Sequence, residues 1–310
     1  MKPARLPFLP AALAIRFAVR PGAARHIALI AGGASLAIAT AACTTTTRQV
    51  AEARPVTLNS APSTMSELRI ADTALDSGNV ELATTLYQRV VQANPKSVTG
   101  LTGLGNTLYA VGDFTRADVY YQKASGVDPK ASEPLIGIAR VAIRQHRFDD
   151  AVASYRRVLA LRPNDPLASA GLGAALDLKG DHAQAQVELR RALAANPGDP
   201  TLSVNLGLSL VLGGNPREGA NVLLDVTRYP GAPAQARQDL ALAYGLLGNK
   251  EAAAAILGRD LPKASVQDNL RYYEIQRARI AQGTASVAQS SPVAKPPVAQ
   301  AAAIQAVSVR

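Results

Sequence analysis

Residues 98–131 read VTGLTGLGNTLYAVGDFTRADVYYQKASGVDPKA, and residues 132–165 read SEPLIGIARVAIRQHRFDDAVASYRRVLALRPND. The two stretches align without a gap, and each carries a proline at its thirty-second position. The same interval of 34 residues gives four prolines in register, namely Pro95, Pro129, Pro163 and Pro197. A chain that repeats itself in this way builds its fold by stacking copies of one small element of structure.

Three further positions keep their character when each repeat is numbered from 1: position 8 is small, position 20 is alanine and position 24 is bulky. The residues are Ala71, Gly105, Ala139 and Gly173, then Ala83, Ala117, Ala151 and Ala185, then Tyr87, Tyr121, Tyr155 and Leu189. Small residues at a helix crossing let two backbones approach closely. A glycine such as Gly112 ends the first helix, and the proline cannot continue the second. This pattern is typical of the tetratricopeptide repeat, a pair of antiparallel helices A and B.

The sequence therefore predicts an all-α fold, a tetratricopeptide-repeat superhelix of about six helix-turn-helix repeats in residues 64–262. Because a single repeat would leave an apolar face in water, the repeats must stack. A capping helix is predicted in residues 263–282, with Ser265 and Asp268 resembling a capping box at its start. Residues 283–310 have almost no charge and no helical period, so we predict a disordered tail there.

Composition argues against several classes of function. The chain has 33 lysines and arginines against 23 acidic residues, and half of this excess of 10 lies in the first 42 residues. No basic stripe alternates with stacking aromatic residues, as nucleic-acid binding would favour. One cysteine cannot form an intramolecular disulfide, and three separated histidines do not suggest a metal centre. With no nucleophile or acid–base pattern, we predict no enzyme activity, no cofactor and no metal, and only surface or cap roles for His146 and His182.

The first 42 residues resemble a secretory signal peptide, with basic residues followed by a short apolar run at residues 27–42. Thr40-Ala41-Ala42-Cys43 resembles a bacterial lipobox, whose cysteine receives a lipid and becomes the new N-terminus. We therefore predict a signal peptide in residues 1–42, lipidation of Cys43 and a flexible tether within residues 43–63. An ordinary signal peptide with an incidental cysteine is the alternative, and initiation at Val19 is a further hypothesis. Thr44 is not the aspartate of an inner-membrane retention signal, which by resemblance implies the periplasmic face of the outer membrane.

In this kind of fold, helix A is expected to line a concave protein-binding groove. The candidate groove residues are Asn106, Tyr109, Arg140, Ile143, Arg144, Asp177, Leu178, Leu208 and Val211. They predict a groove that changes from polar and basic to apolar along its length and suits an amphipathic helix or extended segment of a protein partner. Simple solvated helix faces are the alternative for Tyr109, Arg140 and Arg144. Only Asn106 matches the lysine and asparagine set that clamps chaperone tails, which argues against that kind of site.

The last part of the array resembles the TadD family, the tetratricopeptide-repeat lipoproteins of the Tad (Flp) pilus assembly system. The resemblance is carried by residues 236–248 (ARQDLALAYGLLG), 259–262 (RDLP) and 269–273 (NLRYY). It implies a non-enzymatic scaffold that binds a pilus component such as the secretin and supports pilus or secretin assembly. The alternative is a lipoprotein adaptor for cell-wall enzymes or for outer-membrane protein assembly.

Overall fold

The structure is a computed structural model that describes residues 64–229 and 231–290. The predicted signal peptide, Cys43 and the tether lie outside the described residues, as does the part of the predicted tail after Ser290. Every helix mentioned below therefore belongs to the repeat array or follows it directly.

The described residues form thirteen α-helices and no strand, which confirms the all-α prediction. The helices are α1 (Thr64–Asp76), α2 (Val80–Ala93), α3 (Val98–Ala110), α4 (Phe114–Val127), α5 (Ser132–Arg144), α6 (Phe148–Leu161), α7 (Pro166–Lys179), α8 (His182–Ala195), α9 (Pro200–Leu212), α10 (Pro216–Thr227), α11 (Ala234–Leu247), α12 (Lys250–Leu257) and α13 (Lys263–Ser290). Each A helix begins at position 1 of its repeat and each B helix at position 17. The 34-residue register found in the sequence thus holds through all six helix pairs.

Local chemistry explains why this register is so regular. Position 15, in the turn between helices A and B, has a positive φ in every repeat, which glycine adopts without strain. Position 15 of repeat 3 is His146, at φ 59°. Just before a helix, side chains accept hydrogen bonds from backbone N–H groups of the first turn, as Asn79 does for α2 and Ser97 for α3. Caps of this kind contribute about 1 kcal/mol each, so they fix where the helices begin.

The chain divides into two compact units between Ala175 and Leu176, within α7. The described part of the N-terminal unit is residues 64–175, which contain α1 to α6 and most of α7. The described part of the C-terminal unit is residues 176–229 and 231–290, which contain the end of α7 and α8 to α13. None of the helices in the described residues is both long enough and apolar enough to cross a membrane.

Tyrosines at position 24 form the centre of the N-terminal unit, because Tyr87, Tyr121 and Tyr155 are all almost fully buried. Each ring lies directly against a glycine at position 6 of the following repeat. The pairs are Tyr87 with Gly103, Tyr121 with Gly137 and Tyr155 with Gly171, and a Cβ on any of these glycines would come within 2.2–2.5 Å of a ring atom. Tyr121 also lies against Gly105 of its own repeat. Glycine is therefore required at position 6 by close packing and not by a turn.

The last helix begins at the predicted residue, but its capping box and its end differ from the prediction. It begins at Lys263, so Ser265 lies inside α13 and the predicted capping box is wrong. It also continues through Gly283 to Ser290, past the boundary predicted at Gln282, and residues 283–290 contain no proline that would end it. An absent amphipathic period does not by itself end a helix. α13 packs against α11 and α12, with the Tyr273 ring over Gly245.

Candidate protein-binding surface

The predicted groove residues of the N-terminal unit lie on two A helices, α3 and α5. Asn106 and Tyr109 on α3 are partly exposed, as is Arg140 on α5, and Arg144 is exposed. Ile143 is 7 % exposed and belongs to the core. The structure thus leaves four of these five side chains accessible to a partner.

Two aromatic rings support the two arginines of this surface. The Arg140 Cζ lies 4.2 Å from the centre of the Tyr109 ring, and the Arg144 Cζ lies 5.1 Å from the centre of the Phe114 ring. The Tyr109 and Phe114 rings meet edge to face with their centres 5.3 Å apart. Cations within about 6 Å of a ring face are attracted by its quadrupole, so the guanidinium groups are held in place.

Phe114 was not among the predicted residues, because it is the first residue of a B helix. Its position in the sequence was the available signal. Helix A ends at position 13 and helix B begins at position 17, so Phe114 lies just across one tight turn from Tyr109. Both arginine–ring contacts lie among exposed or partly exposed side chains, so they are compatible with a binding surface and with a solvated helix face alike.

Behind this surface, the tyrosines at position 24 reach position 9 of their own repeats. The Tyr87 hydroxyl donates a hydrogen bond to Asp72 Oδ1, and the Tyr121 hydroxyl donates to Asn106 Oδ1 at 2.7 Å. Burial raises the pKa of both hydroxyls above its ordinary value, so they remain protonated donors. With its Oδ1 accepting from Tyr121, Asn106 keeps its amide nitrogen as a donor.

The third tyrosine lacks such an acceptor. Tyr155 is fully buried, and its hydroxyl has no hydrogen-bond partner among the described residues. Position 9 of this repeat is Arg140; burial raises the pKa of the Tyr155 hydroxyl, and the positive charge of Arg140 opposes that rise. A guanidinium group carries donors only, so Arg140 cannot accept the proton of a tyrosine hydroxyl.

The predicted polar groove residue of the C-terminal unit, Asp177, belongs to a hydrogen-bond network. Its Oδ1 lies 2.8 Å from the His182 Nδ1 and accepts from the Ser209 Oγ, also at 2.8 Å. Gln186 Nε2 donates to the carbonyl oxygen of Ser209 at 3.2 Å. Burial raises the pKa of Asp177, and the hydrogen bonds from His182 and Ser209 oppose that rise.

This network gives His182 a hydrogen-bonded neighbour, whereas the sequence predicted only a surface or cap role for it. A serine, a histidine and an aspartate meet here, which are the three residue types of a hydrolytic triad. The Ser209 hydroxyl, however, donates its hydrogen bond to Asp177. A hydroxyl nucleophile has to pair with its base, and this serine does not pair with the histidine. Among the described residues, no group of three or more His, Cys, Asp or Glu side chains could hold a metal ion.

The predicted apolar part of the groove is not exposed in the C-terminal unit. Leu208 and Val211 are 8 % and 2 % exposed, and only Leu178 among the predicted apolar residues is partly exposed. The reason is packing: α9 contacts both α10 and α11, and Gly219 on α10 comes close to the Val211 side chain. The expectation of an exposed apolar strip is therefore wrong at Leu208 and Val211.

Residues 68–131 and 136–201 match the family model of the tetratricopeptide repeat. The predicted tetratricopeptide-repeat fold is thereby confirmed. No curated protein matches the chain in sequence.

Solved structures of tetratricopeptide-repeat proteins have the same fold. A tetratricopeptide repeat protein from Parabacteroides merdae is 14% identical, with a TM-score of 0.57 over 68% of this chain and 84% of that one. PilF of Pseudomonas aeruginosa is 17% identical, with a TM-score of 0.57 over 67% and 96% of the two chains. PilW, a widely conserved type IV pilus biogenesis factor, is 18% identical, with a TM-score of 0.58 over 72% and 100%. At these identities, the likeness concerns the fold alone.

Proposed function

We propose that this protein is a non-enzymatic assembly lipoprotein that binds a component of the Tad (Flp) pilus machine, such as its secretin. The observation that carries the proposal is the accessible surface of Asn106, Tyr109, Arg140 and Arg144, which we call the Arg140 surface. Its two arginines are held by aromatic rings and thus pre-organised for a partner. Tetratricopeptide arrays use the faces of such stacked helices to bind other proteins.

Two lines of support connect this surface with pilus assembly. The first is the resemblance of residues 236–248, 259–262 and 269–273 to the TadD family. The second is the fold shared with PilW, a type IV pilus biogenesis factor whose whole length is matched. The resemblance to the TadD family further supports attachment to the outer membrane, on its periplasmic face, through a lipid on Cys43.

The function is tested by chemical cross-linking in cells, followed by mass spectrometry of the protein and its partners. We expect cross-links to the secretin or a neighbouring Tad component, and we expect Arg140→Glu combined with Arg144→Glu to remove them without unfolding the array. Arg156→Glu with Arg157→Glu is the matched control, because it reverses the same charge on an exposed B-helix face. Cross-links to cell-wall enzymes or to outer-membrane assembly proteins alone would instead support the adaptor function.

The proposed anchor has its own test. Cys43→Ser removes the sulfur atom that would carry the lipid, so the variant should move from the outer-membrane fraction to the soluble periplasm. Thr47→Ser is the control within the same segment. Metabolic labelling with a fatty acid should mark the parent protein and not Cys43→Ser. A variant that stays in the outer-membrane fraction would contradict lipidation.

A further inference from the structure

The first repeat differs from the later ones at position 7 of helix A. Ile70 is 48 % exposed there, whereas the later residues at this position are all buried, namely Leu104, Ile138, Leu172, Leu206 and Leu240. In repeat 2 this side of helix A meets the preceding B helix, since a Cβ at Gly103 would lie 2.3 Å from the Tyr87 ring. No described helix precedes α1, so its stacking side is uncovered.

Position 19, in the first turn of helix B, differs in the same repeat. Repeats 2 to 5 have exposed charged or polar residues there, namely Arg116, Asp150, Gln184 and Glu218. Repeat 1 instead has Leu82, which is 42 % exposed. A single exposed leucine is ordinary, but Leu82 and Ile70 line the same groove. Apolar side chains grouped in this way mark a contact surface.

This groove lies between α1 and α2 and has a volume of about 510 Å³. Its apolar lining is Ile70, Ala74 and Leu82, and its polar lining includes Ser66, Arg69 and Thr73. We call these six residues the α1 groove. They extend from the first turn of α1 to its last, which suits a segment of chain lying along the helix.

The chain that leads into α1 has the composition to fill the α1 groove. Residues 55–62 read PVTLNSAP and carry no charge. Val56 and Leu58 are two residues apart, so both would face the same side of an extended segment. Pro55 and Pro62 favour extended backbone around them. The sequence thus offers a short apolar strip next to the uncovered helix.

The connection is also long enough. From Thr64 to Ile70 the helix rises about 9 Å, at about 1.5 Å per residue. The six residues from Leu58 to Ser63 span up to about 20 Å when extended. The chain can therefore turn before Thr64 and return along α1 as far as Ile70.

Charge favours this segment over a second copy of the protein. A two-fold interface through the α1 groove would bring Arg69 of both copies into one small surface, where like charges repel. The uncharged segment brings no such repulsion. Its backbone carbonyl oxygens can accept hydrogen bonds from the exposed Arg69 guanidinium group.

We propose that residues 55–62 dock in extended form in the α1 groove, with Leu58 against Ile70 and Leu82. The segment covers the first repeat, as α13 covers α11 and α12. The docking itself does not rest on the proposed function. If Cys43 carries a lipid as proposed, the docking leaves only residues 44–54 as a free tether and holds α1 close to the membrane.

The first test joins the segment to the groove by a disulfide. The full chain carries Cys43→Ser, which removes its only cysteine, together with Leu58→Cys and Leu82→Cys. The control pair is Leu58→Cys with Gln88→Cys, because Gln88 is exposed on another side of α2. Under mild oxidation we expect the first pair to close within one chain about tenfold faster, since docking raises its effective concentration.

Two results of this test would overturn the proposal. Equal rates for the two pairs would show that Leu58 does not reside beside Leu82. A disulfide between two chains, seen as a dimer on a non-reducing gel, would assign the α1 groove to a second copy.

Proteolysis gives a second result without introduced cysteines. Thermolysin cleaves before leucine, so a docked Leu58 should be protected. Leu82→Asp places a charge in the α1 groove and should speed cleavage at Leu58 about tenfold, because cleavage follows the population of the undocked segment. Fragment masses identify the cleavage site.

Leu161→Asp is the matched control, because Leu161 is also 42 % exposed but lies on α6, outside the α1 groove. Circular dichroism should show equal helix content in both variants, since neither leucine belongs to the core. Equal cleavage at Leu58 in the parent and in both variants would overturn the proposal. Neither test needs a lipid or a pilus component, so this docking and the proposed function can fail separately.

Discussion

In the N-terminal unit the bulky residue at position 24 is tyrosine, whereas in the C-terminal unit it is leucine, at Leu189 and Leu223. A tyrosine at position 24 can reach the residue at position 9 of its own repeat with its hydroxyl, as Tyr121 reaches Asn106. Glycine at position 6 of the next repeat leaves space for the tyrosine ring. Leucine brings no polar group, and in the C-terminal unit position 6 is Asn205 or Asp239. One repeat pattern thus accommodates two kinds of core.

The faces of the A helices differ in the same way. In the N-terminal unit they expose ring-supported arginines, while in the C-terminal unit Leu208 and Val211 are buried and Asp177 is bonded to His182 and Ser209. The difference teaches that the position in a repeat does not decide exposure. Neighbouring helices decide it, by covering a residue or leaving it accessible.

The largest expected effect comes from removing a central ring of the N-terminal unit. Tyr121→Ala should lower the free energy of unfolding by about 3–5 kcal/mol, because it leaves a cavity between Gly105 and Gly137 and removes the hydroxyl bonded to Asn106. Tyr229→Ala is the control, since that ring is 72 % exposed and its loss should have little effect. Urea unfolding gives both values, and similar losses would contradict a tyrosine-centred core.

The next effect concerns the polar residue at position 6 in the C-terminal unit. Asp239 is 4 % exposed, its Oδ2 has no hydrogen-bond partner among the described residues, and burial raises its pKa to about 7. The unfolded chain releases this proton near the ordinary carboxyl pKa, so between there and about pH 7 the folded state binds the extra proton. Stability should therefore fall as pH rises through this window, by about 1.4 kcal/mol per pH unit from this group.

Asp239→Asn should remove that contribution, whereas the exposed Asp225→Asn should keep it. Urea unfolding at several pH values measures the slope. Tyr273 of α13 interacts electrostatically with Asp239, but burial and Asp239 raise the pKa of Tyr273 to about 12, well above this window. An unchanged slope in Asp239→Asn would show that another group titrates.

The smallest expected effect tests the glycine beside the tyrosine ring. Gly137→Ala should cost about 1–3 kcal/mol, because its Cβ would lie 2.5 Å from Tyr121 ring atoms and force the ring to move. Gly126→Ala in α4 meets no atom within 4 Å and should stabilise the protein by about 0.5–1 kcal/mol, as alanine favours a helix. The same sign for both changes would contradict the proposed role of position 6.

Much of the fold could be predicted from the sequence, because helix ends depend on local chemistry. Glycine at position 15 and proline at position 32 act within a few residues, and the helices begin in the predicted register in all six pairs. At α13 a local signal misleads: Gly283 follows Gln282 as a glycine that ends a helix would, yet the helix continues through it to Ser290. The Arg140 surface was found only in part, since Phe114 belongs to a B helix that a list of A-helix positions omits.

The sequence by itself determined the helix pairs, their register and the positions that alternate between small and bulky residues, because these follow from interactions within one repeat. Only the tertiary structure decided that Val211 is covered by α10 and that Asp177 bonds to Ser209 on the next A helix. It also decided that the buried Tyr155 hydroxyl has no hydrogen-bond partner among the described residues, unlike the hydroxyls of Tyr87 and Tyr121. The physical reason is that burial and hydrogen-bond partners depend on atoms brought together from distant parts of the chain.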